Sequence, residues 1–126
     1  MILVDSNIFI DFWKNPLETQ KEIFLHNEIA ICGVVKSELL RGTKSENQYE
    51  EVSNALECFD YLVFEEKDWS ELAKLFIELR KNGISIPFQD GMIAYLSIKN
   101  KCILWTNDSH FKLIQVVKPE LKIFQN

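Results

Sequence analysis

The chain has 126 residues, 47% of them hydrophobic and 26% charged, which fits one domain with a buried core and excludes a disordered tail protein. With only Gly 4 and Pro 3, collagen-like and low-complexity architectures fall away as well. Lys+Arg 14 against Asp+Glu 19 gives a net charge of −5; this argues against a protein that coats nucleic acid by neutralising phosphates, but not against an enzyme that meets a polyanion through bound cations.

Met1–Val4 reads as a buried strand, stopped by the polar triplet Asp5-Ser6-Asn7. No basic segment precedes it, and no apolar run approaches the ~20 residues of a membrane span, so a soluble cytoplasmic protein is expected. Ile8–Trp13 follows as a short apolar helix. Asn15-Pro16-Leu17-Glu18 looks like a helix start, with an Asn cap, Pro at the first helical position and Glu reaching back. Ile29–Cys32 is a second strand, followed by a helix near Val34–Arg41 that Gly42 can end. Ser45-Glu46-Asn47-Gln48 offers a capping box for a helix with Tyr49, Val52, Leu56 and Phe59 on one stripe. Tyr61–Phe64 is a strand, and Asp68-Trp69-Ser70-Glu71 is a further capping-box pattern. Behind it Trp69, Leu72, Ala73, Phe76 and Leu79 recur at helical spacing until Gly83.

Phe88–Lys99 is helical and apolar on most sides, as expected of a central helix. Cys102–Trp105 is a strand halted by Thr106-Asn107-Asp108; a short helix at His110–Val116 and an extended piece at Leu121–Phe124 complete the order. Cys32, Cys58 and Cys102 form no CxxC pair, and Cys32 and Cys102 lie in apolar runs where a thiol acts as a small hydrophobe. Strands separated by helices imply parallel pairing with helices on both faces. The expected fold is therefore α/β, in one domain over residues 1–126, with ligands gathering beyond the carboxyl ends of the strands.

Asp5 directly follows the first strand, and Asp108 follows the strand Cys102–Trp105 after two polar residues, so both project at the same sheet edge. A turn or cap role accounts for either alone. Glu38 shares a helix face with Val34 and Val35, where a carboxylate is costly unless paired or bound to a cation. A salt bridge to Arg41, or a later helix start, is the alternative. Asp90 lies in the first turn of Phe88–Lys99, where the helix dipole favours an anion. Gly91 beside it, a poor helix former, hints at the close approach of a ligand or another backbone. Acids converging without matching bases either stay partly protonated or hold a divalent cation. An all-oxygen set favours Mg²⁺ or Mn²⁺ over zinc.

The segments Leu3-Val4-Asp5-Ser6-Asn7, Val35-Lys36-Ser37-Glu38-Leu39-Leu40-Arg41-Gly42, Asp90-Gly91-Met92-Ile93-Ala94 and Leu104-Trp105-Thr106-Asn107-Asp108-Ser109-His110-Phe111 together resemble the PIN-domain ribonucleases. In length and layout the chain is similar to the VapC-type toxins of prokaryotic toxin–antitoxin pairs. That resemblance implies a PIN-like three-layer αβα sandwich around a mostly parallel sheet of four to five strands. It implies that Asp5, Glu38, Asp90 and Asp108 are the acidic quartet that binds Mg²⁺ or Mn²⁺. It further implies internal RNA cleavage by metal-activated water, leaving a 3′-hydroxyl and a 5′-phosphate, with Asn7 and Thr106 supporting the acids by hydrogen bonds. A homodimer and a VapB-type antitoxin partner belong to the same implication. The aromatics Phe9, Phe12, Trp13, Tyr49, Phe59, Trp69 and Phe76 offer a docking surface for such a partner, though an ordinary core explains their spacing too.

His110 fits a polar residue at a helix start or a phosphate contact, and His26 a dipole-compatible helix end. Arg41, Lys44 and Lys112 fit solvated surface roles or phosphate contacts. Two other readings compete. A haloacid-dehalogenase-type phosphatase also starts with a strand-borne Asp, but needs a second Asp where Asn7 stands. A catalytically silent binding module with the same fold would have no need of all four acids.

Overall fold

The computed structural model describes residues 1–125. The element order is β1 (Ile2–Val4), α1 (Ser6–Lys14), α2 (Glu18–His26), β2 (Ile29–Cys32), α3 (Gly33–Arg41), α4 (Glu46–Leu56), β3 (Asp60–Leu62), α5 (Asp68–Lys81), α6 (Phe88–Lys99), β4 (Ile103–Trp105), α7 (His110–Val117) and β5 (Lys122–Ile123). The sheet has five strands in the order β3-β2-β1-β4-β5. Every pairing in it is parallel, where the expectation was mostly parallel.

The central strands read as unbroken apolar runs because both faces are covered: all residues of β1 and β2 are buried. The edge strands β3 and β5 are short and carry Asp60 and Lys122, which discourages pairing with another chain. On one side α1 packs on α3 and α3 on α4; on the other α5, α6 and α7 pack together. This is the three-layer αβα arrangement. The chain runs outward from β1 through β2 to β3, then crosses back to β4 on the other side of β1. The switch point therefore lies between β1 and β4, and in open parallel sheets the crevice there is where ligands bind.

Several local readings are corrected by packing. Asn15 does not cap α2; its N–H closes α1 on the Asp11 carbonyl (3.0 Å). The N-cap of α2 is Leu17, whose N–H donates to the Gln20 side chain at 3.3 Å. Ser45 does cap α4, accepting from the Gln48 N–H (3.1 Å), while Gln48 reaches back to the Lys44 N–H (2.7 Å). Asp68 is not a cap either. It is buried, accepting from Lys99 Nζ (2.8 and 2.9 Å), the Tyr95 hydroxyl (2.6 Å) and the Glu65 N–H (2.7 Å). The buried stripe of α5 is accordingly Asp68, Leu72, Leu75 and Leu79, and Trp69 and Ala73 are exposed. Gly83 ends α5 at φ +74°, the left-handed conformation that favours glycine.

The expected aromatic surface divides. Phe9 is in the core, and Phe24 of α2, not singled out from sequence, packs against Phe9, Phe12, Phe59 and Trp105 with ring centroids 5.0–6.1 Å apart. Trp13, Tyr49 and Trp69 remain exposed. Cys32 and Cys102 are buried free thiols, and burial pushes Cys32 up to about 11, so neither behaves as a nucleophile. Among the described residues no helix is long and apolar enough to cross a membrane.

Candidate active site

Val4 pairs with Trp105, so β1 and β4 end side by side at the switch point. The Asp5 N–H donates to the Trp105 carbonyl (2.9 Å), and the chain then turns into α1 with Asp5 as its N-cap. Asp5 Oδ1 accepts the Ser6 N–H (2.8 Å). Its Oδ2 accepts the Thr106 hydroxyl (2.7 Å) and the Asn7 amide (3.3 Å). The Thr106 oxygen in turn accepts the Asp108 N–H (3.0 Å), so one hydroxyl ties the two strand-end aspartates together. The loop after β4 is fixed to α1 a second way: Asn107 donates its N–H to Asn7 Oδ1 (3.2 Å) and its amide to Asp11 (2.7 Å).

Glu38 reaches the same hollow from α3 and accepts the Ser6 hydroxyl on Oε1 at 3.3 Å. It makes no ion pair with Arg41, whose charge acts on it only at range. Asp90 enters from the first turn of α6. His110, the first residue of α7, brings Nδ1 to 3.1 Å from Asp90 Oδ2 and 3.1 Å from Asp108 Oδ1. The structure thus gathers Asp5, Glu38, Asp90 and Asp108, with Asn7 and Thr106 beneath them, at the carboxyl end of the sheet. Ser6, Asn107 and His110 join this constellation without having been assigned to it from sequence. Ser6 was visible in the triplet after the first strand; the inward turn of His110 depends on α6 lying beside α7.

Burial is the first cause that raises the Asp5, Glu38 and Asp90 carboxyls above the ordinary carboxylate range. Mutual repulsion adds to it: Asp108 acts on Asp5, Asp5 acts on Glu38, and Asp108 and Asp5 act on Asp90. The Thr106, Ser6 and His110 hydrogen bonds oppose the rise without abolishing it. Among the described residues no lysine or arginine forms an ion pair with any of the four. Asp90, Asp108 and His110 each offer a ligand atom within 4.8 Å of the others. Such a donor set, two carboxylates and an imidazole, fits a divalent cation, which relieves the repulsion that burial intensifies.

Gly91 has a different cause from the one the sequence hinted at. A Cβ there would overlap the Phe76 ring of α5, so the small residue admits the neighbouring helix and not a ligand. Arg41 lines a hollow with Glu38, Ser37 and Gln89, whereas Lys44 donates its N–H to Gln48 as part of the start of α4. His26 pairs with Glu22 on its own helix (2.9 Å), away from this cluster.

The PIN domain family model matches residues 2–117. The chain is 32% identical over 116 residues to Ribonuclease VapC1 of Methanocaldococcus jannaschii, covering 90% of this chain and 81% of that protein. Its fold is similar to a chain in the crystal structure of VapBC2 from Rickettsia felis bound to a promoter DNA fragment, with 26% identity, TM-score 0.81 and 98% of each chain covered. It is also similar in fold to VapBC-1 of nontypeable Haemophilus influenzae, with 22% identity, TM-score 0.77 and 99% and 98% coverage.

Proposed function

The chain belongs to the PIN domain family, and on that footing we propose that it is a Mg²⁺- or Mn²⁺-dependent endoribonuclease, the toxin of a type II toxin–antitoxin pair, working in the cytoplasm. The observation that carries this reading is the meeting of four carboxylates from separate elements at the switch point, with no lysine or arginine among the described residues to neutralise them. A bound divalent cation there supplies the positive charge that lets an anionic phosphodiester approach the acids, and it acidifies water for attack.

The chain's own residues do the rest. Asp5 and Asp90, the most buried of the four, are the fixed ligands. Thr106, Asn7 and the Ser6 N–H hold both Asp5 oxygens in one orientation, the supporting role that keeps a ligand set rigid. Glu38 is less buried and lines two neighbouring hollows, which leaves it open to a water and suits it to take the proton released as the water oxygen attacks phosphorus. The bond to the 3′ oxygen breaks and that oxygen takes a proton from solvent water, leaving a 3′-hydroxyl and a 5′-phosphate.

A groove lined by Ile10, Trp13, Leu39, Thr43 and Val52 runs to Glu38, and Ile10 and Trp13 are each 41% exposed. It suits a VapB-type antitoxin segment that ends at the acids, and the toxin itself is read as a homodimer. The test is cleavage of labelled RNA by the purified protein with Mg²⁺ or Mn²⁺, with chelator, and by Asp5→Asn and Asp90→Asn. Cleavage that survives chelator or either substitution overturns the assignment.

A further inference from the structure

His110 stands where its assigned duty at the start of α7 does not require a ring. The helix-start role is already met by main chain, because the His110 N–H donates to Asp108 Oδ1 at 2.9 Å. The imidazole is nonetheless folded back over that carboxylate, with 46% of the side chain exposed. Its Nδ1 stands 3.1 Å from Asp108 Oδ1 and 3.1 Å from Asp90 Oδ2.

In the chain alone the Asp90 contact is a hydrogen bond, and on the tautomer that leaves Nδ1 unprotonated the same separations match ligand chemistry. Adjacent ligand atoms in an octahedral shell of radius about 2.1 Å stand about 3.0 Å apart. An imidazole nitrogen is a softer donor than oxygen, accepted by the first-row transition ions, of which Mn²⁺ binds it least tightly, and drawn on least by Mg²⁺, a hard ion that keeps to oxygen and water. We propose that His110 Nδ1 is a ligand of the divalent cation alongside Asp90 and Asp108, and that it biases this site toward Mn²⁺ over Mg²⁺. The proposal rests on the metal-dependent reading above and adds to it a nitrogen donor and a metal preference.

The experiment is pulsed electron paramagnetic resonance on the full chain loaded with Mn²⁺. Because the chain has only His 2, residues His26 and His110, the source of any nitrogen signal is readily assigned. Nitrogen modulation characteristic of a bound imidazole is expected in wild type, shifted in [¹⁵N]-histidine protein, retained in His26→Gln and lost in His110→Gln. In calorimetric titrations His110→Gln should lose about tenfold or more in Mn²⁺ affinity. Its Mg²⁺ affinity should change by less than about threefold, since Mg²⁺ draws little from nitrogen.

Wild type that binds Mn²⁺ without histidine modulation overturns the proposal while leaving the acidic site standing. So does modulation that persists in His110→Gln, or an equal loss of both affinities. Wild type that binds neither ion removes the site and the proposal together. The labelled wild-type measurement is independent of whether the variant folds well.

Discussion

The two ends of helix α6 meet buried carboxylates, Asp68 of α5 at the last turn and its own Asp90 at the first, and treat them in opposite ways. At its last turn Lys99 reaches Asp68 at 2.8 Å, and the Tyr95 hydroxyl and Glu65 N–H complete that carboxylate's partners. The Lys99 and Tyr95 hydrogen bonds are the main reasons Asp68 is held down to about 2. At its first turn, about 14 Å away along the axis, Asp90 joins Asp5, Glu38 and Asp108 with no lysine or arginine among the described partners, and burial raises it. A structural acid is finished by its own chain. The acids gathered at the other end are left without a lysine or arginine partner among the described residues.

The largest expected effect separates the two ends outright. Asp90→Asn should lower RNA cleavage more than about a hundredfold while shifting the melting temperature little, since its one charged contact, with the half-exposed His110, can be kept as a hydrogen bond to the amide oxygen. Lys99→Met should do the reverse, lowering the melting temperature sharply and leaving cleavage per folded molecule near wild type. A Lys99→Met protein that melts normally would show that the Asp68 pair is ornamental.

Next in size is Asp68→Asn, which strands Lys99 near Glu65 alone and should destabilise strongly, with part of the loss recovered in Asp68→Asn/Lys99→Met. Its pH dependence has a definite sign. Asp68 is lowered from 3.8 to about 2, so its contribution is whole above 3.8 and is lost as pH falls toward 2. The raised acids Asp5, Glu38 and Asp90 act oppositely. They bind protons more readily folded than unfolded, so cation-free protein should lose stability as pH rises through their folded values. Melting curves from pH 2 to 8, with and without chelator, read both slopes.

The same contrast sets how much could be read without coordinates. The strand-end acids were legible because β1 and the last two residues of β4 are buried and both strands stop at polar residues, and Glu38 because a carboxylate on a core-facing stripe demands a reason. Asp68 was misread as a cap because its true partner Lys99 lies 31 residues on, brought close only by the packing of α5 against α6. Gly91 was misread for the same cause, its neighbour being the Phe76 ring from another helix. Local chemistry is written in local spacing; contacts between helices are not.

A cation should supply at the first turn what Lys99 supplies at the last. Saturating Mn²⁺, at about a hundred times its dissociation constant, should stabilise wild type by about 2.7 kcal/mol, or roughly 10 °C in melting temperature. Asp5→Asn keeps the cap on α1 and removes one repelling charge, but its amide nitrogen replaces the oxygen that accepts from Thr106 and Asn7; it should melt close to the chelated wild type and gain little from Mn²⁺. A smaller effect belongs to the hydroxyl that joins Asp5 to Asp108. Thr106→Val should cost about 1–2 kcal/mol of stability and roughly tenfold in cleavage, and Thr106→Ser should restore both.

The smallest effect lies just past the Lys99 end. There α6 closes with the Cys102 N–H on the Ser97 carbonyl (2.9 Å) and the Lys101 N–H on the Ile98 carbonyl (3.1 Å), which places Lys101 at φ +55°. Helix α5 closes in the same way, the Ile84 N–H on Leu79 (2.9 Å) and the Gly83 N–H on Arg80 (3.0 Å), but with glycine at the left-handed position. A side chain there costs about 1–2 kcal/mol in contact with its own backbone, part of which glycine returns as chain entropy in the unfolded state. Lys101→Gly should therefore raise the melting temperature by a few degrees, about 0.5–1 kcal/mol, and Gly83→Lys should lower it by a comparable amount. Neither should alter cleavage, because both act where α5 and α6 end and not where Asp90 begins. A change in cleavage from Lys101→Gly would mean that the two ends of α6 are coupled, and that the division between finished and unfinished acids is not a local one.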